Sequence, residues 1–253
     1  MKKSIIAIGG GDIRKKTTAV IDEEIIKLTG KSKPNLLFIP TASSDDEVYW
    51  QHINNYFAGH WLCKTDVLFL IKETPSKAEI EKKIARADII YVGGGNTLKM
   101  MRRWRFLGVD RLLKQAYNNG TVMCGVSAGS ICWFEFGHSD SMSSYDPDNW
   151  EYIKVCGLGL VQGIHCPHYD SETLGVPRRK HFQSMMQKNG EMGIAIDDNC
   201  ALEIIDGTHF RVLSSRSGAG AYRVYKKDGI VMEDKIEQKK SLAPLKDLYR
   251  ILR

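Results

Sequence analysis

The chain predicts an α/β fold: a mostly parallel sheet covered by helices on both faces, with antiparallel strands added toward the carboxyl end. Three observations carry this. Apolar runs alternate with segments of helical periodicity through the first half of the chain. Those runs are apolar at successive positions, as strands buried on both faces require. The later part changes to short strand-like runs separated by turn signals, Asp206-Gly207 and Asp228-Gly229 among them.

The elements follow in order. Residues 4–8 form an apolar strand that stops at Gly9-Gly10-Gly11. Residues 17–29 place Val20, Ile21, Ile25 and Leu28 at helical spacing, and Gly30 ends the helix. Residues 35–40 read as a strand closed by Pro40, and a helix opens near Ser44 and runs to about Gly59. A third strand covers 66–71, a helix runs from Pro75-Ser76 to about Ala85, a fourth strand covers 88–92, and helical segments fill 97–118. Residues 121–126 are the fifth strand, and the apolar run 131–134 is placed to begin a helix. Residues 137–150 are polar and turn-rich and read as a loop. Beyond them the pattern predicts a strand at 158–166 and a helix at 177–188. Short strands follow at 192–196, 200–205, 209–213, 221–225 and 229–232, and a closing helix at 243–252. No linker or repeat interrupts this, so one domain is expected over 1–253.

Composition sets the class. A length of 253 residues is ample for a large core, and 43% apolar with 26% charged residues excludes disordered and collagen-like chains. No run approaches the ~18 apolar residues of a membrane span. The apolar start is too short for a secretory signal, so the expectation is a cytoplasmic protein. The six cysteines are scattered with no Cys-x-x-Cys, as expected of reduced, mostly buried thiols. The net charge of +6 is modest, and the late lysines are mixed with acids, which reads as a solvated face rather than a nucleic-acid site.

The chemistry centres on Gly125-Val126-Ser127-Ala128-Gly129. Between a strand and a helix, Gly-x-Ser-x-Gly is the pattern of a nucleophile elbow. The serine sits in a strained turn that lifts its hydroxyl above the sheet, and the N–H groups that follow can hold an oxyanion. A serine nucleophile needs a base, and the base needs a carboxylate. Of seven histidines, His52 and His60 lie in a helix, while His138 and the pair His165 and His168 lie at loop or strand ends. Pro167 fixes the turn before His168 and favours it. Asp197-Asp198 end a strand, and Asp140 and Asp170 are further acids. A metal site on His165, Cys166 and His168 lacks a matching ligand pair elsewhere, and no metal or other cofactor is expected. Gly93-Gly94-Gly95-Asn96-Thr97 is a second glycine turn between strand and helix; it lacks the phosphate-loop pattern and suits an oxyanion-hole strand.

Taken together, Val92-Gly93-Gly94-Gly95-Asn96-Thr97, Gly125-Val126-Ser127-Ala128-Gly129-Ser130 and Pro167-His168-Tyr169 resemble the serine peptidase family of aspartyl dipeptidase (dipeptidase E) and cyanophycinase. The resemblance covers roughly residues 4–225. It implies a flavodoxin-like, class I glutamine amidotransferase-like fold. It implies Ser127 as nucleophile, His168 as general base and Asp198 as triad acid. Family members often carry Glu at that position, so Asp198 departs from the pattern and asks for a small backbone shift. Asp140 occupies the region of an alternative acid. The resemblance further implies an oxyanion hole of Gly94, Gly95 and Ala128, with Arg178 and Asn96 binding substrate and Arg179 as a neighbour. The expected substrate is a small peptide, in the narrow case a dipeptide with an acidic N-terminal residue, hydrolysed by a monomer or homodimer. Two rivals remain at this level. One is an α/β-hydrolase-like esterase using Ser127…Asp198…His209, and the other is an inactive binding protein of the same fold.

Overall fold

The structure is a computed structural model that describes residues 2–251. Strand β1 (Ser4–Ile8) is buried throughout. Helix α1 (Ala19–Leu28) leads to β2 (Asn35–Ile39), which ends at Pro40. Helix α2 (Glu47–Trp61) starts where the Asp46 carboxylate accepts from the Tyr49 N–H, and β3 (Lys64–Val67) follows. Ser76 caps α3 (Lys77–Arg86) in the same way, before β4 (Ile89–Val92). Helix α4 (Thr97–Leu107) is broken from α5 (Val109–Asn118) by the left-handed Gly108, and β5 (Val122–Val126) runs into the short helix α6 (Ala128–Ile131). Next come β6 (Phe134–Ser139), β7 (Ile153–Cys156) and β8 (Val161–Cys166). The small hairpin β9 (Glu172–Thr173) and β10 (Val176–Pro177) leads into α7 (Arg178–Gln187). The chain closes with β11 (Gly193–Ile196), β12 (Cys200–Ile205), β13 (His209–Ser214), β14 (Ala221–Lys227), β15 (Ile230–Lys235) and β16 (Ala243–Pro244).

Eight strands form a large sheet in the order β16-β13-β12-β1-β5-β4-β2-β3. Its strands β1 to β5 are mutually parallel, and β12, β13 and β16 extend it antiparallel. One face buries Ile6 and Ile8 against Ile21 and Ile25 of α1 and Ile53 and Phe57 of α2. The other buries Ile5 and Ala7 with Ile84 of α3, Met100 of α4 and Leu113 of α5. The chain therefore leaves β1 toward one face and β5 toward the other, although the two strands are neighbours. That divergence opens a crevice at their carboxyl ends, where ligands of such sheets bind.

Five expectations are corrected. The antiparallel strands do not all extend one sheet: β11, β14 and β15 join a second sheet, β15-β14-β11-β8-β6-β7, in which β8 runs parallel to β6 and β11. The run 131–134 ends a single helical turn instead of starting a long helix, and β6 takes the first residues of the expected loop because β7 and β8 flank it. The third strand is 64–67, not 66–71. There the buried Asp45 carboxylate accepts the N–H groups of Leu70, Ile71 and Lys72 at 2.7, 2.5 and 2.9 Å and pulls the chain off the ladder. The expected closing helix is a strand bridge and a 3-10 turn at Leu245–Tyr249. Arg223 donates to the carbonyls of Asp247 and Leu248 at 2.8 Å each and holds that turn against the second sheet. Residue 252 of that expectation lies outside the described residues. Among the described residues no helix is long and apolar enough to cross a membrane.

Candidate active site

Ser127 stands immediately after β5 with φ 58° and ψ −116°, a conformation L-residues rarely adopt. Its N–H donates to the Ile8 carbonyl of the neighbouring strand at 3.1 Å, and its own carbonyl accepts from Ser130 and Ile131. The turn is held from both sides by close backbone approach. A Cβ on Gly125 would lie 2.4 Å from the Gly129 carbonyl oxygen, and one on Gly129 would lie 2.1 Å from that of Val92. Both glycines flanking this turn are thus required by packing. The Ser127 hydroxyl is left without a hydrogen bond among the described residues.

Strand β8 delivers His168 to the same crevice. It is itself at positive φ (51°), and its N–H donates to the Gly9 carbonyl at 3.1 Å. The residue after β11 supplies the carboxylate: His168 Nδ1 and Asp198 Oδ1 are 2.5 Å apart. The other oxygen of Asp198 accepts from the Ser171 hydroxyl at 2.7 Å. Burial pushes the Asp198 carboxyl up, but the hydrogen bonds from His168 and Ser171, with the charge of Arg216, outweigh it and hold the group below the ordinary range. Asp197, one residue earlier, points the other way and accepts from the Gly220 N–H and the Tyr222 hydroxyl.

Ser127, His168, Asp198, Gly95, Asp140 and Arg178 line one cavity of about 460 Å³, together with Ser143, Ser144, Ser171, Glu172 and Thr173. Arg178, the first residue of α7, is 3% exposed. One guanidinium nitrogen, Nη2, donates to Asp140, and the ring of Tyr152 lies under the guanidinium with its centroid 5.2 Å away. The other, Nη1, is buried with no hydrogen-bond partner among the described residues. An unpaired buried guanidinium nitrogen is costly unless a ligand completes it.

The remaining sequence candidates fall out as follows. Asp140 accepts from Arg178 and from the Thr173 hydroxyl (2.9 Å), so it serves the arginine, and the imidazole has Asp198 instead. Asn96 does not line the cavity. It is the N-cap of α4, accepting from the Lys99 N–H at 2.9 Å and donating to the Ser141 carbonyl at 2.9 Å, so its side chain is committed to the fold and not, as expected, to substrate. Gly94 packs beside the serine, where its Cβ would lie 3.3 Å from Ser127 Cβ, but its N–H faces the phenol of Tyr49, whose pKa burial pushes up to about 12. The N–H groups of Gly95 and Ala128 have no backbone partner among the described residues. Arg179 pairs with Glu233 outside the cavity.

His165 is fully buried, bonded to Ser130 Oγ (2.8 Å) and the Ile194 carbonyl (2.9 Å), and burial pushes its pKa down to about 3. His138 is buried between His181 and Cys166. His209, the base of the esterase reading, pairs across β12 with Ile205, which pairs with Ser4 at the start of β1. Ser127 lies past the opposite end of that strand, so the register separates the two and removes that triad. Sequence reasoning missed Ser171 as a partner of Asp198. Its position three residues after His168, in the turn its N–H closes onto the His168 carbonyl, was the available signal.

The sequence profile of peptidase family S51 matches residues 5–212. The chain is 38% identical over 224 residues to an uncharacterized peptidase, YgaJ, of Bacillus subtilis (strain 168), covering 88% of this chain and 92% of that one. It is 23% identical to Peptidase E of Streptomyces coelicolor, over 74% of this chain and 72% of the relative. The fold matches a crystal structure of a peptidase from an acI-B1 Actinobacterium at a TM-score of 0.74 and 18% identity, covering 96% and 97% of the two chains. The protein is a peptidase, and the chain belongs to peptidase family S51.

Proposed function

We propose that the protein is a serine peptidase that hydrolyses small peptides, with dipeptides carrying an acidic N-terminal residue as the favoured class. The observation that carries this reading is the His168–Asp198 pair in one cavity with the strained Ser127. Ser127 Oγ attacks the scissile carbonyl carbon while its proton passes to His168 Nε2. His168 returns that proton to the leaving amine, and the C–N bond breaks to leave an acyl-enzyme. Water, deprotonated by His168, then attacks the ester and frees Ser127. The Ser127–His168 bond is one that forms in the substrate complex, as is common in unliganded sites. Asp198 holds the imidazole. We assign the oxyanion to the free N–H groups of Gly95 and Ala128, each worth on the order of 3 kcal/mol, with Gly94 keeping the space beside Ser127 open. Arg178 Nη1, buried and unpaired, suits a substrate carboxylate. At the level of topology, the order β3-β2-β4-β5 supports a flavodoxin-like, class I glutamine amidotransferase-like assignment.

The test is a panel of Asp-X, Glu-X and neutral X-X dipeptides. Wild type is expected to cleave Asp-X best, and Ser127→Ala to lose about 10³-fold or more in kcat/KM. Arg178→Met is expected to lose about 10–100-fold on Asp-X and much less on neutral peptides, because a charged hydrogen bond is removed. Cleavage that survives Ser127→Ala would sink the mechanism. An unchanged ranking in Arg178→Met would sink the specificity. No hydrolysis, with no labelling of Ser127 by a fluorophosphonate, would leave an inactive binding protein.

A further inference from the structure

Asp198 has one carbon less reach than a glutamate, yet it meets His168 at 2.5 Å. The surroundings explain how. Its backbone bridges to Gly10, and the next N–H, that of Asn199, donates to the Gly10 carbonyl at 2.8 Å. Its own N–H donates to Asp170 Oδ1 at 2.8 Å, and Arg216 reaches both Asp170 and the Asp198 carbonyl. The main chain is therefore clamped close to the imidazole. The carboxylate plane is still free to rotate, because the terminal torsion of an aspartate is broad. Among the described residues, the one hydrogen bond to this carboxylate besides that of His168 at Oδ1 comes from the Ser171 hydroxyl, which donates to Oδ2.

We propose that Ser171 is a positioning residue of the catalytic apparatus, a fourth member that fixes the plane of Asp198 by holding the oxygen His168 does not use. This rests on the triad reading above. One turn carries both donors, since the Ser171 N–H closes onto the His168 carbonyl at 3.0 Å. The same residue accepts from the first N–H of α7, that of Arg178, at 3.1 Å. Ser171 thus ties the imidazole, the carboxylate and the arginine to one frame. The charged groups around Asp198 are His168, Asp170 and Arg216; Asp140, Glu172 and Arg178 share the cavity and are untouched by a change at 171.

The experiment compares wild type, Ser171→Ala and Ser171→Thr. The rate at which a fluorophosphonate modifies Ser127 is measured against pH, since it reads the nucleophile and base without a known substrate. Removing a donor leaves the carboxylate more basic and strengthens its hold on a charged imidazole. Ser171→Ala is expected to slow modification about 3–30-fold and to move the acid limb upward by about half a pH unit. Ser171→Thr is expected to restore both. The low-field proton resonance of His168 Nδ1–H, read on the protein alone, is expected to broaden or shift in Ser171→Ala and to return in Ser171→Thr. A residue that only packs would move neither the limb nor the resonance, and that result overturns the proposal. If wild-type Ser127 resists the reagent, the serine-nucleophile reading fails by itself. The resonance still decides whether Ser171 holds the pair.

Discussion

Gly10 decides whether the imidazole and its carboxylate can meet. A Cβ there would lie 1.8 Å from Asp198 Oδ1 and 2.4 Å from His168 Nδ1. Those atoms end side chains that can swing away, so the clash is relieved by parting the pair rather than by unfolding the sheet. Gly10→Ala is expected to cut kcat by about 100-fold or more, since misplacement by about 1 Å is enough, while thermal melting shifts little. Full activity in that variant would mean that the two side chains do not act together. At this scale the sequence was informative where spacing constrains chemistry. Ser127 stood out because two glycines flank it, and His168 because Pro167 precedes it. The residues alone left Asp197 and Asp198 open, because adjacent residues at a strand end differ only in the side to which they point, and the resemblance alone implied Asp198. The structure separates them by their partners: Gly220 and Tyr222 for Asp197, His168 and Ser171 for Asp198.

Elements were legible where one local rule suffices. Strands β1, β2, β4 and β5 are continuous apolar runs, and the caps Asp46 and Ser76 mark helix starts. The failures are elements decided by distant partners. Strand β6 exists because β7 and β8 hydrogen-bond to it, and residues 70–72 leave the sheet because Asp45 captures their N–H groups. Asn96 belongs to the same lesson. Its place after the glycine turn suggested substrate contact, but the side chain caps α4 and ties it to the loop after β6. Asn96→Ala is expected to cost about 1–2 kcal/mol from the lost cap and the unpaired Ser141 carbonyl. The measurement is a denaturant titration beside steady-state kinetics. A lowered midpoint with unchanged KM fits the cap, whereas a raised KM with unchanged stability would return Asn96 to substrate binding.

At the scale of the whole molecule, the two faces of the large sheet differ in what they bury. One carries the second sheet and α7, and so brings His168, Asp198 and Arg178 to Ser127. Nothing local in the sequence assigns β11 and β12, adjacent in the chain, to different sheets, and this is why that layer was not anticipated. The opposite face, under α1 and α2, hides a charge problem. Asp22 of α1 is fully buried, its Oδ2 accepting from Thr18 Oγ1 (2.9 Å) and Tyr56 OH (3.1 Å) while Oδ1 has no partner among the described residues. Burial pushes its pKa up to about 7, against which the two hydrogen bonds act weakly. An aspartate in the unfolded chain titrates near 3.9, so between those values the folded state binds more protons than the unfolded one. The stabilising contribution is present in full below about pH 4 and is lost as pH rises through about 7, amounting to roughly 3–4 kcal/mol. Asp22→Asn keeps an acceptor for Thr18 and Tyr56 and removes the titration. Unfolding free energies measured from pH 4 to 8 for both proteins are expected to diverge steadily, with the variant gaining on wild type up to about pH 7 and holding a constant margin above it. Parallel curves would mean that Asp22 titrates alike in both states and that its carboxylate is hydrated within the fold.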